Sequence, residues 1–353
     1  MLIYGKYSYL GLDIGSSLIK LVQLKREKKG LKLSCYGFIE TPKEAVTDGK
    51  IIDPAAVAVR LKVLLKRKHF KGNRVVTSIS EEYVIFRHLV LPKMSFKELM
   101  EVMKYEAQKY INVPLKEVIY DWFPLRYMNE GEMEVLFVAA PRSIIQGYME
   151  VMIRAGLYPV GIEVDVLALV RNFHFYMKAG KNTEGQENKS SILLNIGTKN
   201  SNMVIIEGRR YCFSRTVPLR GSYFTGKVME TDNMLWEKVE YKKKDPDLLN
   251  YKGSVSAAVD LVKEIQRTIE YYLYQVEDGE INLNKIFIMG GPAGISRLNY
   301  LISSELKIET LLLHPLEFIK YESRDKFFYI KEDMNYFNIA VGLALRRWQS
   351  VKY

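Results

Sequence analysis

Leu10–Leu24 reads LGLDIGSSLIKLVQL, and Leu193–Ile206 reads LLNIGTKNSNMVII. Each phrase is an apolar strand, a glycine turn and a second apolar strand. In the first, Gly15 lets a backbone approach a ligand with no Cβ in the way. Ser16 and Ser17 add hydroxyl and backbone N–H donors, and successive N–H groups in a turn form an anion-binding concavity. Lys20, on the second strand, can set its charge over a phosphate. Asp13 can hold a hydrated Mg²⁺, an ion that keeps waters and uses few protein carboxylates. One such turn is equally a plain hairpin. Two of them, with Asp13 and Asn195 182 positions apart, read as loops gripping one anionic tail from both sides. The interval is too long for a solenoid repeat and suits two duplicated lobes.

A third stretch, Ile286–Ile295, reads IFIMGGPAGI. A strand ending in Gly-Gly lets a flat ring lie against the backbone, and the following helix brings its N-terminus near an anion. Between these landmarks the periodicity predicts further elements. Leu31–Glu40 is a third strand. Asp53-Pro54 is an N-cap with proline at the first helical position, and Val57, Leu61, Leu64 and Leu65 form the buried stripe behind it. Strand-like Tyr83–Leu91 precedes Ser95-Phe96-Lys97-Glu98, a capping box. The helix it opens sets Phe96, Leu99, Met103, Ala107 and Tyr110 on one face. Strands near Val118–Arg126 and Met133–Ala139 follow, then a helix Arg142–Ala155. Strand Pro159–Val164 leads into a helix from Asp165. Lys178–Ser191 reads as a linker and Tyr223–Asn250 as an irregular stretch. Val255–Val276 is a long helix with Val255, Val259, Val262, Ile269 and Leu273 inward. A last helix spans Asn335–Gln349.

The chain has 353 residues, 48% of them hydrophobic and 26% charged, the balance of a globular protein with more than one core. Its two cysteines match no metal spacing. The four histidines have no nucleophile or metal partner at a recognisable interval. No segment is apolar for long enough to cross a bilayer, and Met1–Leu10 lacks the layout of a signal peptide, so a cytoplasmic protein is expected. Net charge is +11, with basic clusters at Lys25–Lys29, Lys62–Arg74 and Lys242–Lys244. No zinc-finger or aromatic RNA-binding signature accompanies them, which argues against nucleic acid.

The order of phosphate turn, connecting helix, second phosphate turn and Gly-Gly turn resembles the superfamily of actin, the heat-shock chaperone ATPases and FtsA. More narrowly, the chain resembles the PilM-type proteins of type IV pilus assembly. The resemblance rests on Leu10–Leu24 and on HLVLPKMSFKELMEVMKYEAQKYINVPLKEVIYDW at residues 88–122. It extends over Val135–Arg171, the helix EIQRTIEYY at 264–272 and the ending IAVGLALRR at 339–347. It implies an α/β fold: a duplicated, two-lobed actin-like (ribonuclease H-like) ATPase fold with an FtsA-like inserted subdomain. Residues 1–74 and 141–180 would form the first lobe, 75–140 the small strand-helix-strand-strand unit, and 181–334 the second lobe. Residues 335–353 would be a helix returning to the first lobe.

By the same resemblance the cofactors are ATP and Mg²⁺. Asp13, Gly15, Ser16, Ser17 and Lys20 would bind phosphates and metal, Asp13 as the metal ligand. Asn195, Gly197 and Thr198 would form the second phosphate loop. Gly290, Gly291 and Pro292 would contact adenosine, and Glu264 and Arg267 the ribose and adenine. Asp165 or Glu163 would orient water, with a helix N-cap as the other reading of Asp165. The implied function is a nucleotide-regulated scaffold peripheral to the inner membrane. It would dock the short cytoplasmic N-terminal peptide of a PilN-like protein between the first lobe and the small unit, and couple to pilus motor ATPases. A small-molecule kinase of the same superfamily and an FtsA-like or L-type secretion-platform protein are the alternatives. The relatives carry Asp-x-Gly where this chain has Asn195-Ile196-Gly197, and an amide brings no charge and cannot act as a base. ATPase turnover is therefore expected to be slow or absent. Gly221–Ser254 matches nothing in the pattern.

Overall fold

The computed structural model describes residues 7–28, 30–127, 131–180, 189–199, 201–208, 210–219, 221–234, 251–275, 283–295, 297–321 and 334–348. The first sheet grows from β1 (Leu10–Ile14), β2 (Leu18–Glu27) and β3 (Gly30–Glu40), an antiparallel meander set by the two tight turns. A two-strand ribbon, β4 (Val46–Thr47) and β5 (Lys50–Ile51), leads to helix α1 (Pro54–Arg67). Asp53 caps α1 with its Oδ1 accepting from the Ala56 N–H at 2.9 Å, and Pro54 follows as the sequence predicts. Strand β6 (Arg74–Ile79) then runs parallel to β1, and β10 (Tyr158–Val164) parallel to β6, so the order is β10-β6-β1-β2-β3.

Between β6 and β10 lies a separate sheet of three strands. Its order is β7 (Ile85–Pro92), β9 (Glu132–Pro141) and β8 (Val118–Tyr127), with α2 (Phe96–Tyr110) across one face. The capping box is formed: Ser95 Oγ accepts from Glu98 N, and Glu98 Oε2 accepts from Ser95 N at 2.8 Å. Leu99, Met103 and Ala107 are buried as expected. Phe96 is not: it is 69% exposed, in the first turn of the helix, with its ring tilted against Trp122 at 5.1 Å between centroids. Helix α3 (Arg142–Arg154) buries Ile144, Tyr148, Val151 and Met152 against α1 and the first sheet.

Helix α4 (Asp165–Ala179) follows β10 and is buried along nearly its whole length, since it packs between the two lobes. The second sheet then repeats the first. β11 (Ser190–Ile196), β12 (Ser201–Glu207) and β13 (Arg210–Val217) form the meander, and β14 (Leu283–Met289) and β15 (Glu309–Leu312) add in parallel beyond β11. The order β13-β12-β11-β14-β15 is that of β3-β2-β1-β6-β10.

Helix α5 (Gly221–Asp232) occupies the start of the stretch read as irregular from the sequence. Its residues include Gly226 and β-branched side chains and make a weak helical stripe, yet Phe224 joins the core of the second lobe and Thr225 and Val228 are buried. Helix α6 (Lys252–Gln275) is turned relative to expectation. Val255 and Val259 are 38% and 37% exposed, while Ala257, Ala258, Leu261, Val262 and Ile265 face inward. The close crossing of α5 sets this rotation, because a Cβ at Gly253 would lie 2.4 Å from the Lys227 carbonyl oxygen. Helix α7 (Leu298–Leu306) packs behind β14 and β15. The basic cluster at 242–244, most of the predicted linker and the end of the last helix lie outside the described residues.

Helix α8 (Asn338–Leu345) packs on β1, β2 and α4 with backbone against backbone. A Cβ on Gly11 would sit 2.1 Å from the Ala340 oxygen, and one on Gly342 2.0 Å from the Ala168 oxygen. Alanine normally stabilises a helix over glycine by about 1 kcal/mol. At Gly342 the sign should reverse, with Gly342→Ala lowering stability by about 1–3 kcal/mol or more through overpacking. Gly226→Ala in α5, where a Cβ meets nothing within 4 Å, should instead stabilise. Urea midpoints of the two variants check the pair.

Candidate functional site

The strands that end at the two glycine turns point at each other across one cleft. It encloses about 920 Å³ of space, solvent at its mouth included. From the first lobe come Asp13–Leu18, Lys20, Ser78–Ser80, Tyr148 and Asp165. From the second come Asn195–Lys199, Asn202 and Gly290–Pro292. Both strand-turn-strand phrases and the Gly-Gly turn therefore converge, although their sequences are far apart.

The first turn is closed by Gly15 N donating to Leu18 O at 3.0 Å. Thr41 buttresses it from the end of β3, its Oγ1 donating to Gly15 O at 2.7 Å and its N–H to Ser17 O at 2.9 Å. Asp13 and Lys20 are register partners on β1 and β2, and Lys20 Nζ lies 2.7 Å from Asp13 Oδ2. The second turn is held by the N-terminus of α5, with Gly221 N donating to Gly197 O at 2.8 Å and Ser222 N to Thr198 O at 3.1 Å. Gly221 was not singled out from sequence; a Cβ there would lie 2.6 Å from Pro292 Cγ. Gly290 has a φ of 93°, a conformation that glycine adopts without strain. Its Cβ position lies 2.2 Å from the Ile196 oxygen, so the third turn rests directly on the second. The Tyr336 ring lies against Gly291 and also lines the cleft.

In the second phrase the register partner of Asn195 is Asn202. The repeat maps Lys20 onto Asn202, so an ion pair in one lobe becomes a pair of amides in the other. Asn202 Nδ2 donates to Asp165 Oδ2 at 3.3 Å across the lobes. Asp165 is the first residue of α4, not its cap; Val164 precedes the helix. Its Oδ1 accepts from Val166 N at 2.8 Å and from Glu81 N at 3.1 Å. Glu81, in a short 3-10 turn after β6, accepts from the Ser214 hydroxyl of β13, while its Oε2 is buried with no hydrogen-bond partner.

Burial pushes the Glu81 carboxyl up to about 8, and the Asp165 charge adds to that against the Ser214 hydrogen bond. Burial likewise pushes Asp165 up to about 7, assisted by Asp13 and opposed by its hydrogen bonds. Sequence reasoning had no signal for Glu81, since nothing local announces a buried acid. Asn202 was readable from the repeat.

Three expected residues stand outside the cleft. Glu163 is buried between Arg171 at 2.7 Å and Arg346 at 2.9 Å. Glu264 and Arg267 pair with each other on α6, and neither lines the cleft. Among the described residues there is no cluster of three metal-ligating side chains. Asp13 alone suits Mg²⁺, which takes one or two protein carboxylates and keeps its waters. No helix of the described residues is long and apolar enough to cross a membrane.

A family model described as type IV pilus assembly protein PilM matches residues 11–348. The solved PilM-PilN type IV pilus biogenesis complex aligns at a TM-score of 0.84 with 26% identity, over 98% of this chain and 100% of that chain. Ethanolamine utilization protein EutJ from Carboxydothermus hydrogenoformans aligns at 0.57 with 14% identity, over 97% and 90%, and shares the fold. Cell division protein FtsA of Streptococcus pneumoniae serotype 2 (strain D39) is 21% identical over 304 residues. That alignment covers 77% of this chain and 64% of that relative's length.

The buried acids set a pH dependence. Both hold protons more tightly folded than unfolded, so their contribution is complete below the unfolded values of 4.5 and 3.8 and is lost as pH rises through about 7 to 8. Unfolding free energy should fall by on the order of 1–3 kcal/mol from about pH 5 to about pH 9. Glu81→Gln should flatten the profile, as denaturant titrations across that range will show.

Proposed function

The chain belongs to the type IV pilus assembly protein PilM family, and on that premise we propose that it is an ATP-binding scaffold of the pilus assembly platform. The observation that carries the reading is the convergence of three glycine turns from two lobes on one cleft. Turn N–H groups of Gly15–Ser17 and of Gly197–Thr198 bind the phosphate tail from its two sides. Lys20 would give up its ion pair with Asp13 to neutralise a phosphate, and the Asp13 carboxylate would then hold a hydrated Mg²⁺ ion. The metal supplies charge neutralisation of the phosphates. Gly290, Gly291 and Pro292 hold the adenosine.

Turnover is slow in this reading. Asn195 and Asn202 bring no carboxylate to the second turn. Asp165 already accepts three hydrogen bonds, which uses most of the roughly four acceptor sites of a carboxylate.

The partner is the cytoplasmic N-terminal peptide of a PilN-like inner-membrane protein, bound between the first lobe and the small unit. Strand alternation supports this site. On β8, Tyr120 and Trp122 pack toward α2, which turns Ile119 and Phe123 to the other face, where both are exposed. The protein then works at the cytoplasmic face of the inner membrane, in reach of the pilus motor ATPases. The small unit begins after β6, a strand of the first sheet, instead of at residue 75.

Nucleotide and partner are linked by a run of contacts that begins at the Glu81 main-chain N–H and continues through side chains. Asp165 in the cleft meets Glu81, Glu81 meets Ser214, and Tyr211 lies 2.6 Å from Ser214. The Tyr211 ring stacks on His88, which sits 2.8 Å from Glu134 on β9. His88 and Arg126 hold the Glu134 carboxyl down at about 2. A nucleotide that favours one closure of the lobes shifts this run and with it the small unit.

Calorimetric titration should find MgATP binding that Gly290→Val weakens at least about 100-fold, a loss of about 2.7 kcal/mol. Steady-state turnover should stay below the ~1 s⁻¹ at which typical enzymes begin; a faster rate abolished by Asp13→Ala would contradict the slow-switch reading. Ile119→Asp should cost more than about tenfold, about 1.4 kcal/mol, in binding of the PilN-like peptide while leaving nucleotide affinity unchanged.

A further inference from the structure

The parallel strands β1, β6 and β10 end at the cleft, in Asp13, Ser78–Ile79 and Val164 next to Asp165. Their starts, and the far ends of the elements that run back between them, therefore lie at the opposite edge of the first lobe. That edge carries a cluster of basic side chains. The β2–β3 turn brings Arg26 and Lys28, the last turn of α1 brings Lys66 and Arg67, and the following loop brings Lys68 and Lys71, all exposed. Contacts tie these pieces into one surface. Gln23 Nε2 donates to Lys71 O at 2.6 Å, and Lys71 N to Gln23 Oε1 at 2.8 Å. Lys68 Nζ lies 5.8 Å over the Tyr36 ring of β3. Arg74 at the start of β6 is the register partner of Tyr158 at the start of β10.

The carboxylates on these turns and helix ends are already matched. Glu27 lies 3.7 Å from Lys25, and Glu150 lies 2.7 Å from Arg154. Beside this charge, the turn between α3 and β10 presents Ile153 and Tyr158, 59% and 60% exposed. Flanking basic groups with a protruding aliphatic and a tyrosine suit the headgroup level of a bilayer. There cations meet anionic lipid and an aromatic side chain finds its half-polar setting. Phosphate backbones alone would leave the two apolar side chains without a role.

We propose that this edge of the first lobe docks directly on an anionic phospholipid surface, with Ile153 and Tyr158 entering the headgroup layer. The cleft then points away from the bilayer and stays open to nucleotide. The inference does not rest on the nucleotide reading, and its test contains no nucleotide or protein partner.

The purified full chain is sedimented with vesicles of phosphatidylcholine alone and of phosphatidylcholine mixed with phosphatidylglycerol. Binding should require the anionic lipid and fall steeply with salt, as unit charges are screened beyond about 10 Å at 0.1 M. Each lysine near the surface is worth about fivefold in partitioning, so joint reversal of Lys66, Lys68 and Lys71 to Glu should weaken binding by about two orders of magnitude or more. Lys104→Glu with Lys109→Glu, on α2 of the small unit, removes charge elsewhere and should leave binding within about threefold, under one surface lysine's worth. Should the triple reversal fail to fold, Lys→Gln at the same three positions makes the same test. Equal binding to neutral vesicles, an equal loss in the α2 variant, or no loss in the edge variants overturns the proposal. So does retention on duplex DNA with none on anionic vesicles.

Discussion

Backbone laid directly on backbone, at positions where only glycine fits, is the constraint from which this architecture follows. Gly11 and Gly342 let α8 settle between β1 and α4, each with a neighbouring carbonyl oxygen where a Cβ would be. Gly290 lets the third turn rest on the end of β11, and Gly253 lets α6 cross α5. Such contacts allow no sliding, because interiors are close-packed and a single added carbon must displace main chain. They seat the third turn on the second and hold α8 against the strand that leads to the first. A phosphate site made of backbone N–H groups needs that rigidity, since it has few side chains with which to adapt.

On this frame the two lobes have diverged in one respect that matters chemically. The first keeps the Asp13–Lys20 ion pair beside its turn. The second, at the equivalent register, has Asn195 and Asn202. An amide pair needs no counter-charge, which leaves Asn202 able to hold Asp165 from across the cleft. The cost of the arrangement sits in Glu81 and Asp165, two buried acids joined through the Glu81 main-chain N–H, whose protons burial holds to unusually high pH. Both acids are also held from the second lobe, Asp165 by Asn202 and Glu81 by Ser214, so any change in lobe closure alters their surroundings directly.

Much of this was legible in the sequence where the signal is local or repeated. The paired turns announced the duplication, the Ser95–Glu98 box and Asp53-Pro54 announced their helices, and strand, helix, strand, strand described the small unit. Helix α5 was missed because its apolar positions are few and its role is to brace the second turn through Gly221 and Ser222, a tertiary task. On α6, Val262 is buried and Ile269 packs on the second core as expected, but Val255 and Val259 turn outward, because the close crossing of α5 selects the small Ala257 and Ala258 there. Glu81 was invisible because its character comes wholly from burial. Glu163 and the Glu264–Arg267 pair were placed at the site by likeness to relatives. In this chain they serve ion pairs elsewhere: Glu163 joins β10 to α4 and to Arg346, and Glu264 stays on α6.

In the proposed function, one triphosphate tail would lie between the unequal turns and separate Lys20 from Asp13. A structure of the full chain with Mg²⁺ and a non-hydrolysable ATP analogue tests this most directly. The account predicts phosphate oxygens against the N–H groups of Gly15–Ser17 and of Gly197–Thr198, with Lys20 Nζ turned from Asp13 onto the phosphates. A nucleotide bound elsewhere, or bound with the Asp13–Lys20 pair intact, would contradict it.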